Sequence, residues 1–161
     1  MTSALIRELI TALEETFQGI PRPHRTRSVA RAMSETWVMT DERLGELQQK
    51  DPETNWRELT DAALEEFAGI LPALDPPAFQ FYYPAFLHYT VRHWYGVHNQ
   101  VHAETMEVLW WQPDLIQSLS AAGAELVMTI LEKLAATDEA QDYLIPTTAS
   151  LMEALGEPAV V

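Results

Sequence analysis

The chain of 161 residues contains no cysteine. That excludes a disulfide framework, thiol catalysis and cysteine-ligated zinc. Glycine is scarce, and its six copies stand singly, so there is no glycine-rich loop to cradle a phosphate. Ser28, Ser34, Ser118, Ser120 and Ser150 fall in cap or helix contexts and never inside a Gly-x-Ser-x-Gly turn, which removes the usual setting of a nucleophilic serine. No apolar run approaches the roughly 18 residues that a membrane-spanning helix needs. The N-terminal stretch carries Arg7, Glu8, Glu14 and Glu15 within its apolar pattern, unlike a secretory signal. A soluble protein of the cytoplasm with no membrane partner is therefore expected, and the lack of cysteine is compatible with that compartment.

Basic charge is also short, with ten Lys and Arg against twenty-four Asp and Glu, a formal charge of −14. Residues 1–34 hold five arginines against Glu8, Glu14 and Glu15, a balance of +2, which leaves −16 for the remainder. Such a chain repels phosphate backbones, so no nucleic-acid partner is expected. The acidity serves solubility or speeds encounter with a basic protein partner. The basic loop Pro21–Ser28 makes Arg22, Arg25 and Arg27 candidate contacts for an anion, unless they pair with the acidic remainder.

What the chain has in quantity is helical periodicity. Leu5, Ile6, Leu9, Ile10, Leu13 and Phe17 predict a first helix capped by Ser3 and ended near Gly19, before Pro21 and Pro23. Residues 28–50 divide between a helical stripe of Val29, Ala32, Met33 and Trp37, an extended alternative over Thr36–Thr40, and a helix from Asp41 to Gln49. Asn55 and Glu58 have capping-box spacing, and Trp56, Leu59, Ala63, Phe67 and Ile70 predict one helix from Trp56 to Leu71. Further helices are expected from Asp75, over Glu104–Trp111, after the Ser120 cap, from Asp138 to Leu144, and over Thr148–Leu155 with Gly156 at its end.

Phe79 to His102 holds four of the five histidines together with Phe79, Phe81, Tyr82, Tyr83, Phe86, Tyr89, Trp94 and Tyr95. It predicts the central buried helix or helix pair, kinked or restarted at Pro84, where a proline cannot donate to the Gln80 carbonyl. The expected fold is a single all-α domain over residues 1–161, with about seven to nine helices wrapped around that segment.

The histidines invite a metal reading. On one straight helix His88, His98 and His102 would share a face about 80° wide while His93 pointed away, and His88 would lie about 15 Å from His98 along the axis. Only His98 and His102 could then chelate, with Glu104 or Glu107 as near carboxylates, and no established metal motif is completed. The plainer reading is helix histidines, exposed or hydrogen-bonded beside aromatics, and no cofactor. Carboxylate pairs such as Glu14–Glu15 and Glu65–Glu66 read as solvated helix faces. Trp110 and Trp111 would point about 100° apart on a helix. Either both pack in the core, or one contributes to a surface patch suited to a partner.

At Trp56-Arg57-Glu58-Leu59, and again at Phe79-Gln80-Phe81-Tyr82-Tyr83-Pro84-Ala85-Phe86, the chain resembles a family of uncharacterised small bacterial helical proteins. The resemblance covers the middle third to half of the chain and departs at Tyr83, where an aliphatic residue is expected. It implies a single helical domain and no catalytic set. The functional expectation is a non-enzymatic, accessory or immunity-like interaction protein. The alternatives are a metal-binding module or enzyme using His98 and His102, and a small-ligand pocket beside Tyr82, Tyr89 and Trp94.

Overall fold

The computed structural model describes residues 1–156 except Trp37 and Leu144. Among them are eight α-helices and no strand: α1 (Ser3–Thr16), α2 (Arg27–Glu35), α3 (Asp41–Lys50), α4 (Asp61–Glu66), α5 (Pro76–His93), α6 (Gln100–Trp111), α7 (Ala121–Ala135) and α8 (Thr148–Gly156). Single 3₁₀ turns cover Trp56–Glu58, Leu71–Ala73, Pro113–Ser118 and Asp138–Asp142. Among the described residues no helix is long and apolar enough to cross a membrane.

Side-chain caps set most of these boundaries. Asp75 accepts the Ala78 N–H to start α5, and Ser120 accepts that of Gly123 to start α7. Thr2, rather than Ser3, caps α1 by accepting the Leu5 N–H. The Asp138–Asp142 turn begins after Thr137 instead of being capped by Asp138.

The larger correction concerns residues 56–71. The Asn55–Glu58 capping box forms but opens only the short Trp56–Glu58 turn. Leu59 is extended, and Thr60 accepts the Ala63 N–H and begins α4 afresh. Gly69 then adopts a φ of +93°, a left-handed conformation that ends the run. The apolar steps that suggest one long helix are thus shared between two short elements, because the Thr60 hydroxyl offers the backbone a competing hydrogen bond. Within residues 28–50, α2 buries Val29 and Ala30 but leaves Met33 exposed, and Thr36 is extended. The expectation for Trp37 lies outside the described residues.

Helix α5 is the centre. It runs through Pro84 without a restart and buries twelve of its eighteen residues, so it is apolar on nearly every side, as a helix enclosed by others must be. It packs against α1, α6 and the Pro113–Ser118 turn. Phe79 stacks on Tyr83 at 4.5 Å between centroids, and Phe81 meets Tyr82 edge-on at 5.0 Å. Tyr83 stands where an aliphatic residue was expected, and its hydroxyl donates to the Thr105 carbonyl at 3.0 Å, so a fully buried phenol is satisfied. Trp56 Nε1 donates to the Phe17 carbonyl at 2.8 Å, tying the end of α1 to the next layer.

Helix α7 approaches α1 at Gly123. A Cβ there would lie 2.9 Å from Phe17 Cε1, and the Phe17 ring is itself buried. On an open helix surface Gly→Ala gains about 1 kcal/mol. Here overpacking costs about 1–3 kcal/mol against it. Gly123→Ala is therefore expected to lower the thermal midpoint, and a raised midpoint would show that Phe17 moves aside freely.

Candidate functional site

The chain between α5 and α6 builds a histidine–aromatic network. Helix α5 stops at His93, Gly96 turns back onto the His93 carbonyl, and α6 begins after Asn99. His88 and His98 therefore do not share a helix. His98 nevertheless stacks on His102 with 4.8 Å between centroids, and lies tilted against Trp94 at 5.0 Å. The His98 Nε2–H donates to the Trp94 carbonyl at 2.5 Å, which fixes the tautomer.

His102 is completely buried. Its Nδ1 lies 3.0 Å from Asn99 Oδ1 and 3.3 Å from the Asn99 N–H. Its Nε2 has no hydrogen bond of good geometry. Burial, with His98 beside it, pushes the imidazole down to about 4, so it is neutral near neutrality. Asn99 also donates to the Tyr89 hydroxyl at 2.8 Å, and Tyr89 donates to Glu65 Oε1 at 2.6 Å. Glu65 is thus an acceptor for a buried phenol as well as part of a solvated face.

The sequence-suggested carboxylate partner, Glu104, turns elsewhere. Its two oxygens accept the N–H groups of Gly69, at 2.6 Å, and Leu71. Burial raises its carboxyl to about 7, although both N–H groups oppose the rise. Among the described residues no three His, Asp or Glu side chains are placed to hold one metal ion. Tyr82, Tyr89 and Trp94, suggested as a ligand pocket, are buried and bonded within the chain; Trp94 Nε1 donates to Thr137 Oγ1 at 2.9 Å.

The three loop arginines separate. Arg22 donates to the carbonyls of Gln48 and Asp51, at 2.6 and 2.5 Å. Arg27 places Nε 3.1 Å from both Asp51 Oδ1 and Glu53 Oε1, and both carboxylates are buried. Ser28 donates its N–H and its hydroxyl to Asp51, each at 2.8 Å, and Tyr82 donates to Glu53 at 3.1 Å. Burial and the Glu53 charge push the Tyr82 phenol far up, so it remains a donor. Arg25 is half-buried, with Nε unpartnered.

Trp110 and Trp111 close α6 at 46% and 67% exposure, so the alternative in which both pack in the core is overturned. The reason is local. The helix buries Val108 and Leu109, and the two residues that follow, about 100° apart around the last turn, leave much of their rings outside the contact with α5 and the 3₁₀ turn. Beside Trp110 lies a shallow groove of about 150 Å³ floored by Leu109, Pro113, Pro146 and Leu151.

A second constellation has no counterpart among the sequence candidates. Asp61 at the head of α4 accepts from Arg92 at 2.5 Å and lies 2.9 Å from His93 Nε2. Burial would raise its carboxyl, but Arg92 and His93 outweigh burial and hold it below its ordinary value. Arg92 Nε donates to His88 Nδ1 at 3.2 Å, and His88 Nε2 faces Glu14 Oε1 at 3.6 Å. These residues come from α1, α4 and α5. Only the one-turn spacing of His88 and Arg92 hints at them in sequence, so no linear motif could have found the group.

Residues 6–149 match the model of a family of unknown function, DUF6714. No curated protein and no solved structure matches the chain.

Proposed function

As the chain belongs to DUF6714, a family of unknown function, we propose its role from its own surface. It is a non-enzymatic accessory or immunity-like protein that binds a basic protein partner, with Trp110 and Trp111 as the apolar anchors. The observation that carries this reading is the exposed tryptophan pair beside the Leu109–Pro113–Leu151 groove. Tryptophan is among the residues most enriched at the energetic centres of interfaces.

Charge selects the class of partner. Arg22, Arg27, Arg31 and Arg57 all donate to acceptors within the chain, and Arg92 pairs with Asp61. Much of the scarce positive charge is therefore already engaged by acceptors within the chain, even where the arginine itself is exposed, while Asp114 beside the groove and Glu153 on α8 are exposed. A basic surface carrying an apolar residue complements both features, and steering by opposite charge would raise its encounter rate. A cytoplasmic location in a bacterial cell belongs to the same reading, motivated by the cysteine-free composition and the resemblance noted above.

A random peptide library displayed on phage, panned on the purified protein, tests it. Enriched peptides should be rich in Lys and Arg around an apolar anchor. Their affinity should fall with added salt and drop at least about tenfold in Trp110→Ala/Trp111→Ala, about 1.4 kcal/mol. Failure to enrich, or binding indifferent to the double variant, overturns the reading. So does a dimer in light scattering that the double variant dissolves, because the groove would then be filled by a second copy.

A further inference from the structure

We propose that the cleft between α1, the Trp56–Glu58 turn, α4 and α5 binds a small zwitterion, a free α-amino acid with an apolar side chain. The site is separate from the Trp110–Trp111 groove and does not depend on its role.

The cleft has a volume of about 280 Å³. That lies near the lower limit of small-molecule sites, which run from roughly 300 to 1,000 Å³, and suits a molecule the size of one residue. Leu59, Leu64 and Ala85, with the edge of Trp56, supply apolar wall. Two kinds of unspent polar capacity stand over that wall.

The first is a pair of donors. Arg92 Nε–H donates to His88 Nδ1, so in the neutral imidazole the proton must be on Nε2. Burial, with Arg92 next to it, lowers the proton affinity of His88 and favours that neutral form. The resulting Nε2–H has its nearest acceptor, Glu14 Oε1, at 3.6 Å, beyond hydrogen-bonding reach. Arg57 donates through Nη2 to the Glu14 carbonyl and lies 5.6 Å from the Trp56 ring, and among the described residues its other guanidinium N–H groups have no hydrogen-bond partner. Arg57 and His88 line the same cleft, and a carboxylate bound there would accept from both.

The second is the Glu14 carboxylate. It is partly exposed at the rim, and among the described residues its one ion-pair contact is that same 3.6 Å approach. It would repel a simple anion but accept an ammonium group. Asp61 is not available for this, since both its oxygens are held by Arg92 and His93. Its part is to orient Arg92 and, through it, the His88 ring. One positive and one negative receptor over an apolar wall describe a ligand with both charges on one carbon and a hydrocarbon side chain.

The test titrates the full-length protein with L-leucine and L-phenylalanine, following the Trp56 indole N–H by NMR. Isoamylamine and isocaproate, which each keep one of leucine's charges, serve as controls. Saturable shifts with the amino acids are expected. Affinity should fall at least about tenfold for each one-charge analogue and for Glu14→Gln. Arg57→Gln should weaken binding similarly, and a thermal melt of each variant confirms that it is folded. The proposal is overturned if neither amino acid shifts the signal up to roughly 10 mM. Equal binding of an analogue, or full affinity in folded Glu14→Gln, overturns it as well.

Discussion

Arg27→Ala is expected to destabilise the protein by about 3–5 kcal/mol, the range for removing one partner of a buried ion pair. Arg27 is only 12% exposed and stands between two carboxylates, Asp51 at 1% and Glu53 at 4%. Removing it leaves two like charges enclosed together, with Ser28 and Tyr82 as their remaining donors. The guanidinium also lies 4.5 Å from the centre of the Phe67 ring, so truncation loses apolar contact too. Urea unfolding measures the effect. Arg27→Lys should fall between wild type and Ala, because it keeps the charge but loses the planar fork. Arg43→Ala is the control: its 2.9 Å pair with Glu46 is more than half exposed, so its loss should cost less than about 1 kcal/mol. Equal costs for Arg27→Ala and Arg43→Ala would mean that the buried network holds nothing together.

The second large effect is concealed in the wild type and should appear in single variants. Unfolded, His102 takes its proton near 6.5; folded, burial lowers this to about 4. The folded state resists that proton, so stability declines as pH falls from 6.5 towards 4. Glu104 behaves in the opposite sense. Its carboxyl rises from 4.5 to about 7 on folding. Its contribution is present at low pH and is lost as pH rises from 4.5 through 7. Each group carries about 2–3 kcal/mol across its window, with Glu104 discounted for partial exposure. In the shared interval, folding in effect moves one proton from His102 to Glu104, and the two slopes cancel.

Glu104→Gln should therefore expose the histidine slope, and its stability relative to wild type should rise by about 2–3 kcal/mol between pH 4.5 and 7, the window of the lost carboxyl. His102→Gln should expose the opposite slope, and its stability relative to wild type should fall by a similar amount between pH 4 and 6.5. Denaturation midpoints across that range, read as differences from wild type, remove the background of the other titrating groups. Profiles of both variants parallel to wild type would show that neither group changes its proton affinity on folding.

Local chemistry was legible where one side chain controls its own backbone. The caps at Asp75 and Ser120 and the Asn55–Glu58 box all follow from hydrogen bonds spanning three or four residues. The burial of α5 was legible too, because a segment with Phe79, Tyr82, Phe86 and Leu87 has no stable place in water. Residues 56–71 were misread because apolar spacing does not register a break that is followed by a helix in similar phase. The exposure of both Trp110 and Trp111 was not legible for a different reason. Sequence gives the size and polarity of a side chain, but whether anything lies above it depends on where other elements end.

Composition and short-range pattern were enough to determine that this chain is helical, acidic and built on one aromatic segment, since these properties follow from each residue and its near neighbours. Only the tertiary structure decided which charges meet. Glu14, Arg57 and Asp61 come from three separate elements to meet His88 and Arg92 of α5, and Arg27 finds Asp51 and Glu53 from the far side of α3. Such meetings depend on how helices pack, and packing is set by the whole core at once rather than by the residues that end up in contact.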